Sequence, residues 1–274
     1  MEKDPFRIRG HVPDFDIIVA ELASRSADTR KRMQMTEVAY GDGPSETVDV
    51  FVPADASGPL PVHMFIHGGY WRMFSKRDFS LIAETVTEAG AGAIAVIVDY
   101  ALMPGVRMAT IVDQVERAKQ WILDNITSFG GDPARLTVSG HSAGAQLAAM
   151  LIREKKKPSG IKAALLLGGL YDLAPLQKSF LKAEIGITDE EVVRFSPMNH
   201  SYESGTKVSV LVGSRETAPF HEQAGAFARL LCRQGLDVSY RLILGRHHMD
   251  SVRDLGDSGS LAGIELTRLV AASA

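Results

Sequence analysis

Residues 136–150 read LTVSGHSAGAQLAAM, with Ser142 at the centre between Gly140 and Gly144. The stretch before the serine is apolar and β-branched, as in a buried strand. The stretch after it is small and alanine-rich, as in a helix. A Gly-x-Ser-x-Gly pattern at such a junction permits a strained turn that only small flanking residues tolerate. It points the hydroxyl outward and brings the N-terminus of the next helix beneath it. The pattern alone arises by chance in roughly one of ten chains of this length, and a plain tight turn is the alternative. The strand-turn-helix context is what makes Ser142 a candidate nucleophile.

A serine hydroxyl at neutral pH needs a base, and the base needs an orienting acid. Of the eight histidines, His11, His200 and His221 lie in poorly placed segments and His63 lies inside a strand. His67 opens a glycine loop, and His141 precedes the serine. His247 and His248, in LILGRHHMD, follow the last strand, where the chain order Ser, acid, His places a base. His248 is the favoured base and His247 a neighbour that shapes its loop. The acid is expected after the strand Val208–Val212, in VLVGSRETAPF, where Glu216 is the carboxylate available. Glutamate reaches about 1.5 Å further than aspartate, a difference a loop can absorb. Asp172, in GGLYDL, is the fallback.

An acyl-transfer intermediate also needs donors for its oxyanion. His67-Gly68-Gly69-Tyr70-Trp71 follows the strand Val62–Ile66. Adjacent glycines let backbone N–H groups turn toward one point. The expected donors are the amides of Gly69, Tyr70 and Ala143, the last being the residue after the serine.

These residues require a scaffold, and the chain supplies one. Its 274 residues suffice for one large domain, with 45% hydrophobic and 23% charged residues as in ordinary globular proteins. The net charge of −3 does not suggest a nucleic-acid binder. The single cysteine, Cys232, excludes an internal disulfide, fits a reducing compartment and reads as a packing residue. Residues 1–16 hold no apolar run of the secretory kind, and Ala93–Val98 and Ala163–Leu167 are too short to span a bilayer. A cytoplasmic enzyme without membrane contact is the default, with a homodimer as the base-rate assembly.

Strand-like runs at Val48–Val52, Val62–Ile66, Ala93–Val98, Leu136–Ser139, Ala163–Leu167, Val208–Val212 and Val238–Leu244 alternate with helix-like stretches. The helical ones are Asp78–Ala89, the residues around Ile111, Val115, Ala118, Ile122 and Ile126, those from Ala143 onward, Phe220–Gln234 and Ile264–Ala272. That alternation predicts an α/β domain spanning 1–274: a mostly parallel sheet of about eight strands with helices on both faces. Ligands of such sheets sit beyond the carboxyl ends of the strands, where Ser142 falls. Met1–Met35 (an arm with a basic run) and 171–204 stand outside the alternation. They are expected as cap elements or as a surface arm and an irregular excursion.

HGGYW, GHSAGAQL and the late HHMD together resemble the α/β-hydrolase superfamily, close to its hormone-sensitive-lipase branch. Asp99-Tyr100-Ala101-Leu102-Met103-Pro104 is similar to that branch's DYRLAP signature, with alanine in place of arginine. HGGYW with GHSAGAQL is most similar to the serine-type kynurenine formamidases and their related esterases. The likeness runs from about Tyr40 to His248. It implies Ser142 as nucleophile, His248 as base and Glu216 as acid, although the family more often carries aspartate at that acid position. It also implies no metal and no organic cofactor. The implied substrate is a small molecule, an aryl formamide such as N-formyl-L-kynurenine or, as the alternative, a small or aryl carboxyl ester. Tyr70, Trp71, Phe74, Tyr171 and Phe220 are candidate walls for an aromatic leaving group and equally candidate core residues. Two other classes stay open. One is a non-catalytic binding protein on the same fold. The other is a metal-dependent hydrolase built on His247, His248 and Asp250.

Overall fold

The computed structural model describes residues 4–54, 58–90 and 92–272. In chain order the elements are helix α1 (Phe15–Arg32), strands β1 (Met35–Ala39), β2 (Thr47–Phe51) and β3 (Leu60–Ile66), helix α2 (Ile82–Thr87), β4 (Ile94–Val98), α3 (Met108–Asn125), β5 (Gly131–His141), α4 (Ala143–Leu151) and β6 (Ile161–Leu167). Then follow α5 (Leu181–Glu184), α6 (Asp189–Phe195), β7 (Lys207–Gly213), α7 (Ala218–Arg233), β8 (Val238–Ile243), α8 (His248–Asp254) and α9 (Leu261–Ala271).

The eight strands form one sheet in the order β1-β2-β4-β3-β5-β6-β7-β8. β1 pairs antiparallel with β2, and β2 antiparallel with β4; all other pairings are parallel. Every residue of β3 and β4 is buried, as expected for central strands covered on both faces. Helices α3, α4 and α7 pack on one face, while α1, α2, α8 and α9 pack on one another and cover the opposite face. The core stripe of α3 is the one its spacing predicts: Ile111, Val115, Ala118 and Ile122, none more than 1% exposed.

Two elements depart from the sequence reading. The arm is a helix, α1, followed by an edge strand. Its buried stripe is Phe15, Ile18, Leu22, Ser26 and Thr29, and polar residues at the last two positions hide the helical period. Arg30, Lys31 and Arg32 occupy its last turn, where they complement the helix dipole. β1 is short and only partly buried, so it lacks the apolar run that marked the other strands. Cys232, expected to pack, is exposed on α7.

A buried ion cluster ties this outer half together. Lys76 Nζ donates to Asp49 Oδ1 at 2.8 Å and to Glu37 Oε2 at 2.8 Å, and Arg30 of α1 pairs with the other oxygen of Asp49. The Asp49 side chain is fully buried and that of Lys76 is 3% exposed. In the central sheet, His63 lies between two hydroxyls, Thr137 Oγ1 at 2.8 Å and Ser139 Oγ at 2.6 Å. Burial lowers its pKa to about 3, so it is neutral and structural.

Candidate active site

β5 delivers Ser142 and α4 leaves from it. Ser142 has φ 57° and ψ −119°, a left-handed conformation costing roughly 1–3 kcal/mol for a residue with a Cβ. The turn is held from several sides. The Ser142 amide donates to Leu167 O of β6 at 2.8 Å. A Cβ on Gly140 would fall 2.2 Å from Gly144 O, and one on Gly144 2.0 Å from Ile66 O. Both flanking glycines are therefore required by close backbone approach. Ser142 is 2% exposed, and its place is the wall of a cavity.

His248 is the first residue of α8. Its Nδ1–H donates to Glu216 Oε2 at 2.6 Å, with both side chains almost completely buried. The other Glu216 oxygen accepts the Gly213 amide at 2.9 Å. Glu216 thus reaches the ring from the turn after β7, anchored to the end of that strand. Gly168, at φ +54°, clears the space: a Cβ there would stand 3.0 Å from Glu216 Oε1 and 3.2 Å from His248 Nδ1. The His248 ring is packed between His141, centroids 4.4 Å apart, and Phe220 at 4.6 Å. His141 Nε2–H donates to His248 O at 3.1 Å. Burial, followed by the nearby His248 charge, drives the pKa of His141 well below the usual histidine range. Neutral His141 therefore acts as a spacer.

The loop after β3 lies against the serine. A Cβ on Gly68 would sit 2.7 Å from His141 O and 3.1 Å from Ser142 Cβ. Gly69, Tyr70 and Trp71 all have positive φ, at 104°, 51° and 57°, the backbone pattern that turns successive N–H groups to one side. The amides of Gly69, Tyr70 and Ala143 find no acceptor among the described residues. Trp71 fixes this loop from behind. Its Nε1–H donates to Gln146 Oε1 of α4 at 3.0 Å, and its carbonyl accepts Met103 N at 2.7 Å.

The cavity is lined by Ser142, His141, His248, Gly69, Tyr70 and Phe74, and its volume is about 220 Å³. Of the five expected walls, Tyr70 and Phe74 line it. Trp71, Tyr171 and Phe220 are fully buried and do not: Trp71 braces the loop, Tyr171 stacks on Phe227 at 4.2 Å, and Phe220 supports His248. The sequence reading missed Ile8, Arg9 and Phe15 from the arm, and Phe180 and Glu184 from the excursion, all on the cavity wall. The arm is fastened there by Tyr70 Oη–H to Phe6 O at 2.5 Å, Thr217 Oγ1–H to Pro5 O at 2.7 Å, and the Phe180 amide to Asp4 Oδ2 at 2.6 Å. No periodic pattern marked these contacts, because each depends on tertiary placement.

Asp172, the fallback acid, is occupied elsewhere: its Oδ1 caps the amide of Ala174 at 3.0 Å. The candidate metal ligands divide as well. His248 faces Glu216, whereas His247 Nε2–H faces Asp14 Oδ1 at 3.0 Å and Asp250 Oδ2 at 3.2 Å. Asp14, His247 and Asp250 are a group among the described residues whose donor atoms lie close enough to share an ion. Asp250 is already paired with Arg253 at 3.1 Å.

A serine at a strained turn, a histidine with a buried carboxylate behind it, and amides beside the serine that find no acceptor among the described residues are the arrangement that acyl transfer requires. The alpha/beta hydrolase fold family model matches residues 63–250. The chain belongs to that family and is a hydrolase. Within it, the chain is 27% identical to the kynurenine formamidase of Danio rerio, over all of this chain and 96% of that one. It is also 27% identical to the kynurenine formamidase of Salmo salar, over 88% and 85%. Esterase LipQ of Mycobacterium tuberculosis is 27% identical over 80% of this chain and 58% of its own. Among solved structures, a Silicibacter sp. TM1040 protein provisionally called a thioesterase superposes with TM-score 0.83 at 24% identity, covering 98% of this chain and 99% of that one. The Pyrobaculum calidifontis esterase superposes with TM-score 0.74 at 19% identity, covering 94% and 92%. No helix among the described residues is long and apolar enough to cross a membrane.

Proposed function

We propose that this protein is a serine hydrolase that cleaves a small aryl formamide of the N-formyl-L-kynurenine kind. Ser142 attacks the formyl carbon while His248 takes its proton. Glu216 holds His248 in the tautomer whose Nε2 is free to accept. The amides of Gly69, Tyr70 and Ala143 receive the oxyanion. His248 then returns the proton to the leaving aryl amine, and water releases formate by the same steps in reverse order of roles. The observation that carries this reading is the 2.6 Å bond from His248 Nδ1 to the buried Glu216 carboxylate, with Ser142 on the same cavity. The likeness to two kynurenine formamidases supports the formamide as substrate. The likeness to an esterase supports the second reading, a small or aryl carboxyl ester.

Residues 4–15 and 180–184 serve as the cap of this site, as their share of the cavity wall suggests. The single cysteine favours a cytoplasmic setting. A homodimer would be favoured by the exposed Tyr240, Leu242 and Leu244 on and just beyond edge strand β8.

The substrate is tested by kcat/KM on N-formyl-L-kynurenine and on p-nitrophenyl acetate. The expected result is turnover of both, with the formamide at physiological efficiency. Efficient ester cleavage with no detectable formamide cleavage would overturn the leading substrate and leave the ester reading.

A further inference from the structure

Most of the cavity wall is apolar or aromatic, yet one acid–base pair belongs to it: Arg72 and Glu184. Arg72 lies on the same turn as the proposed oxyanion donors, its amide bonded to Gly69 O at 3.0 Å. Glu184 is the last residue of α5, in the excursion. Arg72 Nη1 stands 3.0 Å from Glu184 Oε2, within ion-pair distance. The alignment is not that of a hydrogen bond, however, and Glu184 Oε2 is a buried oxygen that accepts none among the described residues. The hydrogen bond that Arg72 does make from Nη1 is a weak one, to Met73 Sδ at 3.8 Å. Both side chains are only about one-third exposed.

These two charges partner each other at 3.0 Å, yet neither is fully engaged by hydrogen bonds at the wall of a largely apolar cavity. An offset pair has one face free for a ligand carrying the same two charges in reverse. The other charged cavity residues are engaged: Arg9 pairs with Asp16 at 2.6 Å, and the Arg7 guanidinium lies 4.3 Å over the ring of Phe180.

We infer that Arg72 and Glu184 form a subsite for a zwitterionic amino-acid head, Arg72 binding the α-carboxylate and Glu184 the α-ammonium. The formyl group lies at Ser142 and the aryl ring against the aromatic wall. The inference rests on the aryl-formamide reading for its orientation in the site. It adds that this enzyme selects formamides attached to an α-amino acid over bare aryl formamides. The pair performs no chemical step; it selects and positions.

The test uses inhibition, so that it does not depend on formamidase turnover. L-Kynurenine and 2-aminoacetophenone share the aryl amine and differ in the amino-acid head. Each is measured as a competitive inhibitor of p-nitrophenyl acetate hydrolysis by the wild type, Arg72→Met, Arg72→Lys and Glu184→Gln. The inference expects L-kynurenine to inhibit the wild type roughly tenfold or more better than 2-aminoacetophenone. That advantage should collapse in Arg72→Met and Glu184→Gln and be partly kept in Arg72→Lys. Equal inhibition by the two compounds in the wild type would overturn it. So would an advantage unchanged in both neutral variants, or a parallel loss of affinity for both compounds, which a merely structural pair would give. If N-formyl-L-kynurenine is not cleaved but the L-kynurenine advantage stands and falls with the pair, the subsite is upheld and the formamidase reading alone fails.

Discussion

Glu216 holds two bonds at once, His248 Nδ1 at 2.6 Å and the Gly213 amide at 2.9 Å. The carboxylate is therefore fixed in place by the strand end that delivers it. Gln at this position keeps an acceptor for Gly213 but cannot enforce the same His248 tautomer. Glu216→Gln is expected to lower kcat by roughly 10³–10⁴ with the circular dichroism spectrum unchanged. Asp172→Asn should leave kcat near the wild-type value, because that carboxylate caps its own turn. The reverse outcome would mean that the acid has been misassigned. Serine, histidine and the glycine loop could be read from sequence because each sits at a strand end with few competitors. The candidate acid was harder to place, since Glu216 meets His248 only through the turn that folds it back. Pocket walls and core could not be told apart among the five aromatics for a related reason: aromatic type does not say which side of a loop a ring occupies. Trp71 and Phe220 brace the loop and the His248 ring.

At the scale of elements, the site depends on three backbone approaches made possible by glycine. Gly144 is the tightest, with 2.0 Å between a would-be Cβ and Ile66 O. Gly144→Ala is expected to force α4 away from β3 and to lose activity by more than Glu216→Gln does, measured as kcat/KM on either substrate. The outer half of the sheet is secured by Lys76. Lys76→Met leaves Asp49 buried with Arg30 as its remaining cation. It is expected to destabilise the fold by about 3 kcal/mol in denaturant unfolding. A loss near zero would mean that the cluster is more open to water than its burial indicates. The central strands and α3 were legible from apolar runs and a clean helical period. α1 and β1 were not, because Ser26 and Thr29 complete the buried stripe of α1 and β1 is a half-buried edge.

Across the whole molecule, two deeply buried neutral histidines make stability depend on pH. His63 has a folded pKa of about 3, and that of His141 lies well below its ordinary value. The unfolded chain binds a proton at each near pH 6.5, while the folded chain does not until the pH is far lower. Between those limits the unfolded state holds more protons, so stability falls as the pH drops below about 6.5 and is unaffected by these groups above it. For His63 the slope approaches about 1.4 kcal/mol per pH unit. Urea midpoints between pH 7 and 4.5 should fall steadily, and less steeply in His63→Gln. Equal slopes would show that His63 is not the cause. The attachment of the arm also spans the whole chain, joining residues near the amino end to Tyr70, Phe180, Thr217 and His247. Covalent labelling decides whether Ser142 is the nucleophile. The native protein would be treated with phenylmethanesulfonyl fluoride, digested and mapped by mass spectrometry, with residual hydrolysis followed in parallel. One sulfonyl adduct is expected on Ser142, appearing at the rate at which activity disappears and absent in Ser142→Ala. An unmodified Ser142 in a protein that still hydrolyses its substrate, or Ser142→Ala that retains turnover, would contradict it.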